Sequence, residues 1–212
     1  MVSIGFEDNG SWTHKCVGSI LTSNATLTSS KCMKSIDGTW QIRSGTENLK
    51  NPTEGERYEI RRAVAKEPYD LAILFTEEHM HFHSKAQPIC LYENMGWGKF
   101  HGPGKSRSLS QWNGDLTKKI VHDIRIHDDG CTDDTCKIDE EKICPHDSGA
   151  PILTESSDKT RFFLTGILSN IDDNEDFDCE DRPTTFTRVE DEEASEVWEF
   201  ITEHFKGNYQ EI

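Results

Sequence analysis

The 212 residues are enough for one large domain or for two small units sharing an interface. Thirty-nine Asp and Glu against 23 Lys and Arg leave a formal charge of −16, which repels a phosphate backbone and argues against a nucleic-acid partner. Hydrophobic residues make up only 33%, so the polar excess belongs on loops and surface, and no apolar run approaches the roughly 18 residues of a membrane-spanning helix.

Along the chain, short segments rich in Val, Ile, Thr and Phe alternate with polar turns: "VSIGF", "KCVGSILT", "ATLTS", "QIRSG", "YEIRRAVA", "LAILFT", "KKIVHDIRI", "APILT", "RFFLTGIL" and "TTFTRV". This pattern predicts an all-β fold. Between the sixth and seventh of these, "HSKAQPICLYENMGWGKFHGPGKSRS" carries two Pro and four Gly and few periodic apolar positions, which marks a connection between two halves. The division that follows is an N-terminal β unit over 1–85, a connection over 86–105, a C-terminal β unit over 106–190 and a helix over 191–207. That helix rests on "EEASEVWEFITEHFKG", where Val197, Ile201 and Phe205 recur every four residues, Trp198 flanks them and Gly207 follows as a stop. The acidic runs "DDNEDFDCED" and "DEEASE" read as solvated faces that could also steer a basic protein toward the surface.

Seven cysteines and two sequons, at Asn9 and Asn24, fit an oxidising, secretory setting. The opening "MVSIGFEDNG" has no signal-peptide pattern, which for a chain with these cysteines implies a segment upstream.

Three stretches in order carry a resemblance. "KCVGSILTSNATLTSSKC" is similar to the first disulfide loop of the trypsin/chymotrypsin serine proteases, which usually ends in "TAAHC". "YDLAILF" is similar to the strand bearing their aspartate, and "CPHDSGAPI" to the "CxGDSGGP" around their serine. "LTGILSN" resembles the substrate-binding edge strand and "RPTTFTRV" the "PGVYTRV" before the last helix, so the likeness covers nearly the whole chain. It implies two six-stranded antiparallel β-barrels with a cleft between them and a C-terminal helix. No "IVGG"-like start is present; in activated family members that new amine pairs with the position of Asp147.

The resemblance places Lys31, Asp70 and Ser148 at the histidine, aspartate and serine of the catalytic triad. Cys32 fixes the register, and no histidine lies between His14 and His79. An ordinary lysine titrates near about 10.4, so at neutral pH it is an ammonium without a lone pair for the serine proton. A neighbouring carboxylate favours that charged form, and Lys31 is expected to form an ion pair with Asp70. His146 stands in place of the glycine whose N–H joins that of Ser148 in the oxyanion hole, and its side chain is expected to disturb the donors; losing one costs a factor of about 10² to 10³. Lys142, Ile171 and Thr184 fall, gaps permitting, at the specificity pocket, with Lys142 where trypsin-like enzymes carry an aspartate and as a candidate partner for Asp147.

The family pattern implies Cys16–Cys32 and Cys144–Cys179, and Cys131 and Cys136 could close "CTDDTC", though the sequence allows other pairings. Cys90 resembles the cysteine that ties the protease domain of multi-domain members to an upstream light chain or clip domain. His79, His81 and His83 would share one face of a strand at zinc-binding spacing, but without a nearby fourth ligand no metal is expected. Glu47, Glu54 and Glu56 lie in a loop resembling the calcium-binding region of some members, and spacing alone does not make a site.

These residues lead to a secreted, catalytically inactive serine protease homologue of the kind arthropods use in immune cascades. It would take no cofactor and act by binding another protease or a protease substrate. Two other readings fit the same residues: an active hydrolase with an atypical base, or a salivary, venom or parasite decoy on the same fold.

Overall fold

A computed structural model of the chain describes residues 1–33, 40–91, 107–112, 115–124, 135–138, 142–143, 145–156, 158–169, 180–181, 184–189 and 196–205. The first six predicted segments form β1 (Val2–Asp8), β2 (Ser11–Thr22), β3 (Ala25–Thr28), β4 (Gln41–Ser44), β5 (Glu56–Lys66) and β6 (Leu71–Thr76), which close into a barrel in the order β1-β2-β3-β6-β5-β4. β1 and β2 turn at Asn9 and Gly10, both with positive φ (49° and 78°), the geometry that makes Asn-Gly a strong hairpin signal.

β6 is buried at all six positions. Its continuous apolar run is explained by burial on both faces. Leu74 points into the barrel core with Ile4, Ile20 and Ile42, while Leu71, Ile73 and Phe75 face a second cluster shared with the C-terminal helix. A strand facing water on one side would have alternated with polar residues.

The second half adds β7 (Ser108–Trp112), β8 (Lys118–His122), β9 (Thr135–Ile138), β10 (Lys142–Ile143), β11 (Pro151–Glu155), β12 (Phe162–Ser169), β13 (Glu180–Asp181) and β14 (Thr184–Arg188). Six of these make one antiparallel sheet in the order β8-β7-β11-β12-β14-β9, and β10 and β13 pair separately. The fold is thus the expected double β architecture, with one closed barrel and a second six-stranded sheet. The strand expected over "KKIVHDIRI" stops at His122, before Asp123 at φ 60°.

The single described α-helix, α1 (Glu196–Phe205), lies inside the predicted span. Val197 and Ile201 are fully buried against Leu71, Leu164 and Val189, which stabilises the docked helix by about 1.5–3 kcal/mol for each side chain. Phe200, not singled out by the four-residue spacing, is buried with them. Lys66 adds an ion pair to Glu196 at 2.8 Å, an exposed contact of small weight.

The two halves are joined by backbone bonds. Ile89 N–H donates to the Ile20 carbonyl and Leu164 N–H to the Cys90 carbonyl, each at 2.9 Å, so the connecting segment is fastened to both units. Thr187 Oγ1 also donates to the Tyr69 carbonyl at 2.6 Å, tying β14 to the turn that carries Asp70.

Candidate functional site

Asp70 ends the turn before β6 in a left-handed conformation (φ 50°) and is only 5% exposed. One carboxylate oxygen receives Ser29 Oγ–H at 2.7 Å, Ser30 Oγ–H at 2.9 Å and the Lys31 backbone N–H at 3.0 Å. The Ser30 N–H donates to the Asp70 carbonyl at 3.3 Å. Burial of this charge is therefore matched by donors from one short 3-10 turn, Ser30–Met33, and the residue before it. The two serine hydroxyls of "TSSKC" were not singled out in the sequence, because nothing local pairs them with Asp70 about 40 residues on.

Ser148 follows a second 3-10 turn, Pro145–Asp147. Its carbonyl accepts the Val17 N–H at 2.9 Å, Ala150 N–H returns to the Asp147 carbonyl at 2.8 Å, and Gly149 N–H donates to the Leu168 carbonyl at 3.0 Å. Gly149 has φ 84°, and a Cβ there would lie 2.3 Å from both Thr28 Oγ1 and the Val17 carbonyl and 3.0 Å from Ser29 N. Only glycine fits that approach. The Ser148–Gly149 backbone is thereby set against the segment that carries Ser29 and Lys31, and the Cys32 sulfur lies 3.7 Å from the Ser148 carbonyl. Lys31, Asp70 and Ser148 thus occupy one neighbourhood.

The Ser148 side chain is sealed: the residue is 4% exposed, and Oγ has no hydrogen-bond partner among the described residues. A nucleophilic serine needs a base within about 2.6–3.2 Å. Asp147 is fully buried, and its carboxylate accepts the Trp112 N–H at 3.2 Å.

The His146 ring packs toward β2, edge to face with His14 at 5.4 Å between centroids. The Nε2 atoms of both rings are buried and without a hydrogen-bond partner among the described residues. Burial, and secondarily the neighbouring imidazole, push His14 down to about 3. Burial also lowers His146, partly offset by the Trp112 backbone. This contact was not foreseen, because nothing in the spacing of His14 and His146 announces it.

Among the specificity-pocket candidates, Lys142 lies in β10 paired with Asp181, and Thr184 opens β14 opposite Ile138. Their side chains, and all of Ile171, lie outside the described residues, as do Cys131, Cys144 and Cys179. Cys136 falls in β9 with its side chain likewise outside. The Cys16–Cys32 disulfide is formed, with Cα atoms 6.1 Å apart. Cys90 is a half-buried free thiol.

Residues 79–83 do not form a strand, contrary to the geometry considered for zinc, and the three histidines go to different partners. His79 Nδ1 lies 2.7 Å from Ser23 Oγ, His81 Nδ1 lies 3.1 Å from Glu56, and His83 Nδ1 accepts the Lys85 N–H at 3.3 Å. The segment carries a tight turn closed between His83 and Ala86, whose backbones exchange hydrogen bonds, and this replaces the extended pairing a strand requires. Glu47 and Glu54 converge on the Lys85 ammonium, at 3.4 and 3.0 Å; the bond to Glu54 holds Lys85 above its ordinary range and Glu54 below its own. Inside the same loop the fully buried Arg43 guanidinium donates to the carbonyls of Leu49, Asn51 and Glu54. Among the described residues no group of three His, Cys, Asp or Glu could hold a metal ion.

Comparison with known proteins decides the family. The family model described as Trypsin matches residues 1–193. The chain belongs to the trypsin family. Among its curated relatives in Drosophila melanogaster, "Serine proteinase stubble" is 27% identical over 197 residues, covering 74% of this chain and 24% of that protein. "Serine protease Hayan" is 23% identical over 229 residues, covering 89% of this chain and 35% of that protein. The chain therefore spans about a quarter to a third of the length of these trypsin-family relatives.

Proposed function

We propose that this trypsin-family chain is a secreted, non-catalytic protease homologue that works by binding, as a cofactor or regulator in a proteolytic cascade. The observation that carries the reading is the environment of Ser148: Oγ is sealed and has no hydrogen-bond partner among the described residues, and the residue whose amide holds Asp70 is Lys31, where the family pattern has histidine. Lysine in its ordinary ammonium form has no lone pair with which to take the serine proton. Loss of the general base removes the step on which acyl transfer by the triad depends. The barrels remain as a scaffold for a protein partner, another protease or its substrate. Cys90, half-buried and free, is the point at which an upstream domain would be tethered.

Turnover of a pooled library of fluorogenic peptides tests this. The purified chain should match its Ser148→Ala variant, and Lys31→His alone should add nothing, because the serine would still lie behind the His146 turn. Turnover that Ser148→Ala abolishes would establish an enzyme with an atypical base instead.

A further inference from the structure

We propose that the His14–His146 contact is an acid-sensitive clasp between the two β units, closed while both imidazoles are neutral and released when either takes a proton. Its place is the seam itself. His14 belongs to β2 of the first barrel, and His146 belongs to the 3-10 turn that leads into Ser148 in the second unit. The contact is independent of whether Ser148 is catalytic.

The hydrogen bonds around the pair are arranged for neutral rings. Ser3 Oγ accepts the Trp12 Nε1–H at 2.7 Å and lies 2.7 Å from His14 Nδ1, which satisfies one nitrogen of that ring. The other nitrogen, Nε2, is sealed, as is Nε2 of His146. An imidazolium donates from both nitrogens, so a charged ring here would hold a buried, unanswered N–H beside a second imidazole. Part of each residue still reaches solvent, but its Nε2 atom does not.

The surroundings offer little compensation. From β1 the neighbour is Ser3, and from β7 it is the Trp112 ring, edge-on to His14 at 6.0 Å. From β4, Arg43 lies over the Trp12 ring at 5.7 Å, and Lys15 is exposed on the other face of β2. From the 3-10 turn come His146 and Asp147, the latter accepting the Trp112 N–H. No carboxylate among the described residues acts to raise either ring; burial lowers both, opposed in smaller measure by the His146 backbone at His14 and the Trp112 backbone at His146.

Both folded-state values lie below the ordinary 6.5, so below pH 6.5 the opened form binds more protons than the closed one. Stability of the closed seam is full above that pH and falls as pH drops toward the folded values. Opening that exposes His14 becomes roughly 25-fold more favourable between pH 7 and pH 5, and exposure of His146 acts in the same direction.

Hydrogen exchange on the whole chain reads this directly. The Val17 amide, bonded to the Ser148 carbonyl, should lose protection by a factor of roughly 25 or more between pH 7 and 5, after correction for intrinsic exchange. Ile73, in the middle of β6, should hold within about threefold. The double variant His14→Gln, His146→Gln should abolish the difference. Unchanged Val17 protection in the wild-type chain, or an equal fall at Val17 and Ile73, would overturn the clasp. If the double variant does not fold, proton NMR titration of the two rings in the wild type decides. His14 neutral down to about pH 5 and His146 titrating below 6.5 are expected, and either ring titrating near 6.5 with Val17 still protected would refute it.

Discussion

Replacing Gly149 by alanine should cost this protein far more than a surface glycine change. Two penalties add. The residue sits at φ 84°, a left-handed conformation that costs an L-residue about 1–2 kcal/mol. The new methyl would also fall 2.3 Å from the Val17 carbonyl and from Thr28 Oγ1; one obstacle is backbone, and relief by shifting a packed neighbour costs about 1–3 kcal/mol. The sum is about 2–5 kcal/mol, or a fall in Tm of roughly 4–20 °C at 2–4 °C per kcal/mol for this size. Gly10→Ala is the matched control, since φ there is 78° but nothing lies within 4 Å of the added carbon. Thermal unfolding followed by circular dichroism at neutral pH compares the two. A Gly149→Ala loss no larger than that of Gly10→Ala would mean that the Ser148 turn is not pressed against Val17 and Thr28.

Other consequences can be checked on the same protein. Asp70→Asn weakens three charge-assisted hydrogen bonds to one buried oxygen and should destabilise by about 1–3 kcal/mol in urea unfolding, with an unchanged m-value. Arg43→Met leaves the Leu49, Asn51 and Glu54 carbonyls without their buried donor and should cost about 3–5 kcal/mol; a loss below about 1 kcal/mol would show that the loop holds itself. If the chain passes through a secretory pathway, Asn9, exposed at the β1–β2 tip, should carry a glycan. Asn24 is half-buried and its Oδ1 accepts the Thr22 hydroxyl, so Asn9→Gln should remove the mass shift on glycosidase treatment and Asn24→Gln should leave it. The reverse pattern would contradict that assignment.

Much of the fold was legible because burial on a pleated surface leaves a period. The ten predicted segments became strands, and the burial of β6 at all six positions accounts for the all-apolar "LAILF". β7 was missed because Ser108, Ser110 and Gln111 are buried polar residues without β-branched character, so its position inside the second sheet, next to the edge strand, comes from pairing with β8 and β11. The neighbourhood of Lys31, Asp70 and Ser148 could be anticipated from ordered motifs, yet what satisfies Asp70 could not. That depends on a backbone amide and two hydroxyls converging from a 3-10 turn. The His14–His146 pair was equally hidden, since contacts across 132 residues (146 − 14) leave no local pattern. The geometry considered for "HMHFH" failed for a local reason: a tight turn at His83 and Ala86 replaces the extended strand that would have aligned the rings.

Covalent labelling of the folded protein with a fluorophosphonate probe tests the central claim most directly, because the probe reports whether any group activates the Ser148 hydroxyl. Ser148→Ala and a live trypsin-like enzyme serve as controls. The sealed Oγ, without a hydrogen-bond partner among the described residues, predicts no label on the wild-type chain while the live enzyme labels fully. Label that appears on the wild type and disappears with Ser148→Ala would contradict the account and show that a base takes the serine proton after all.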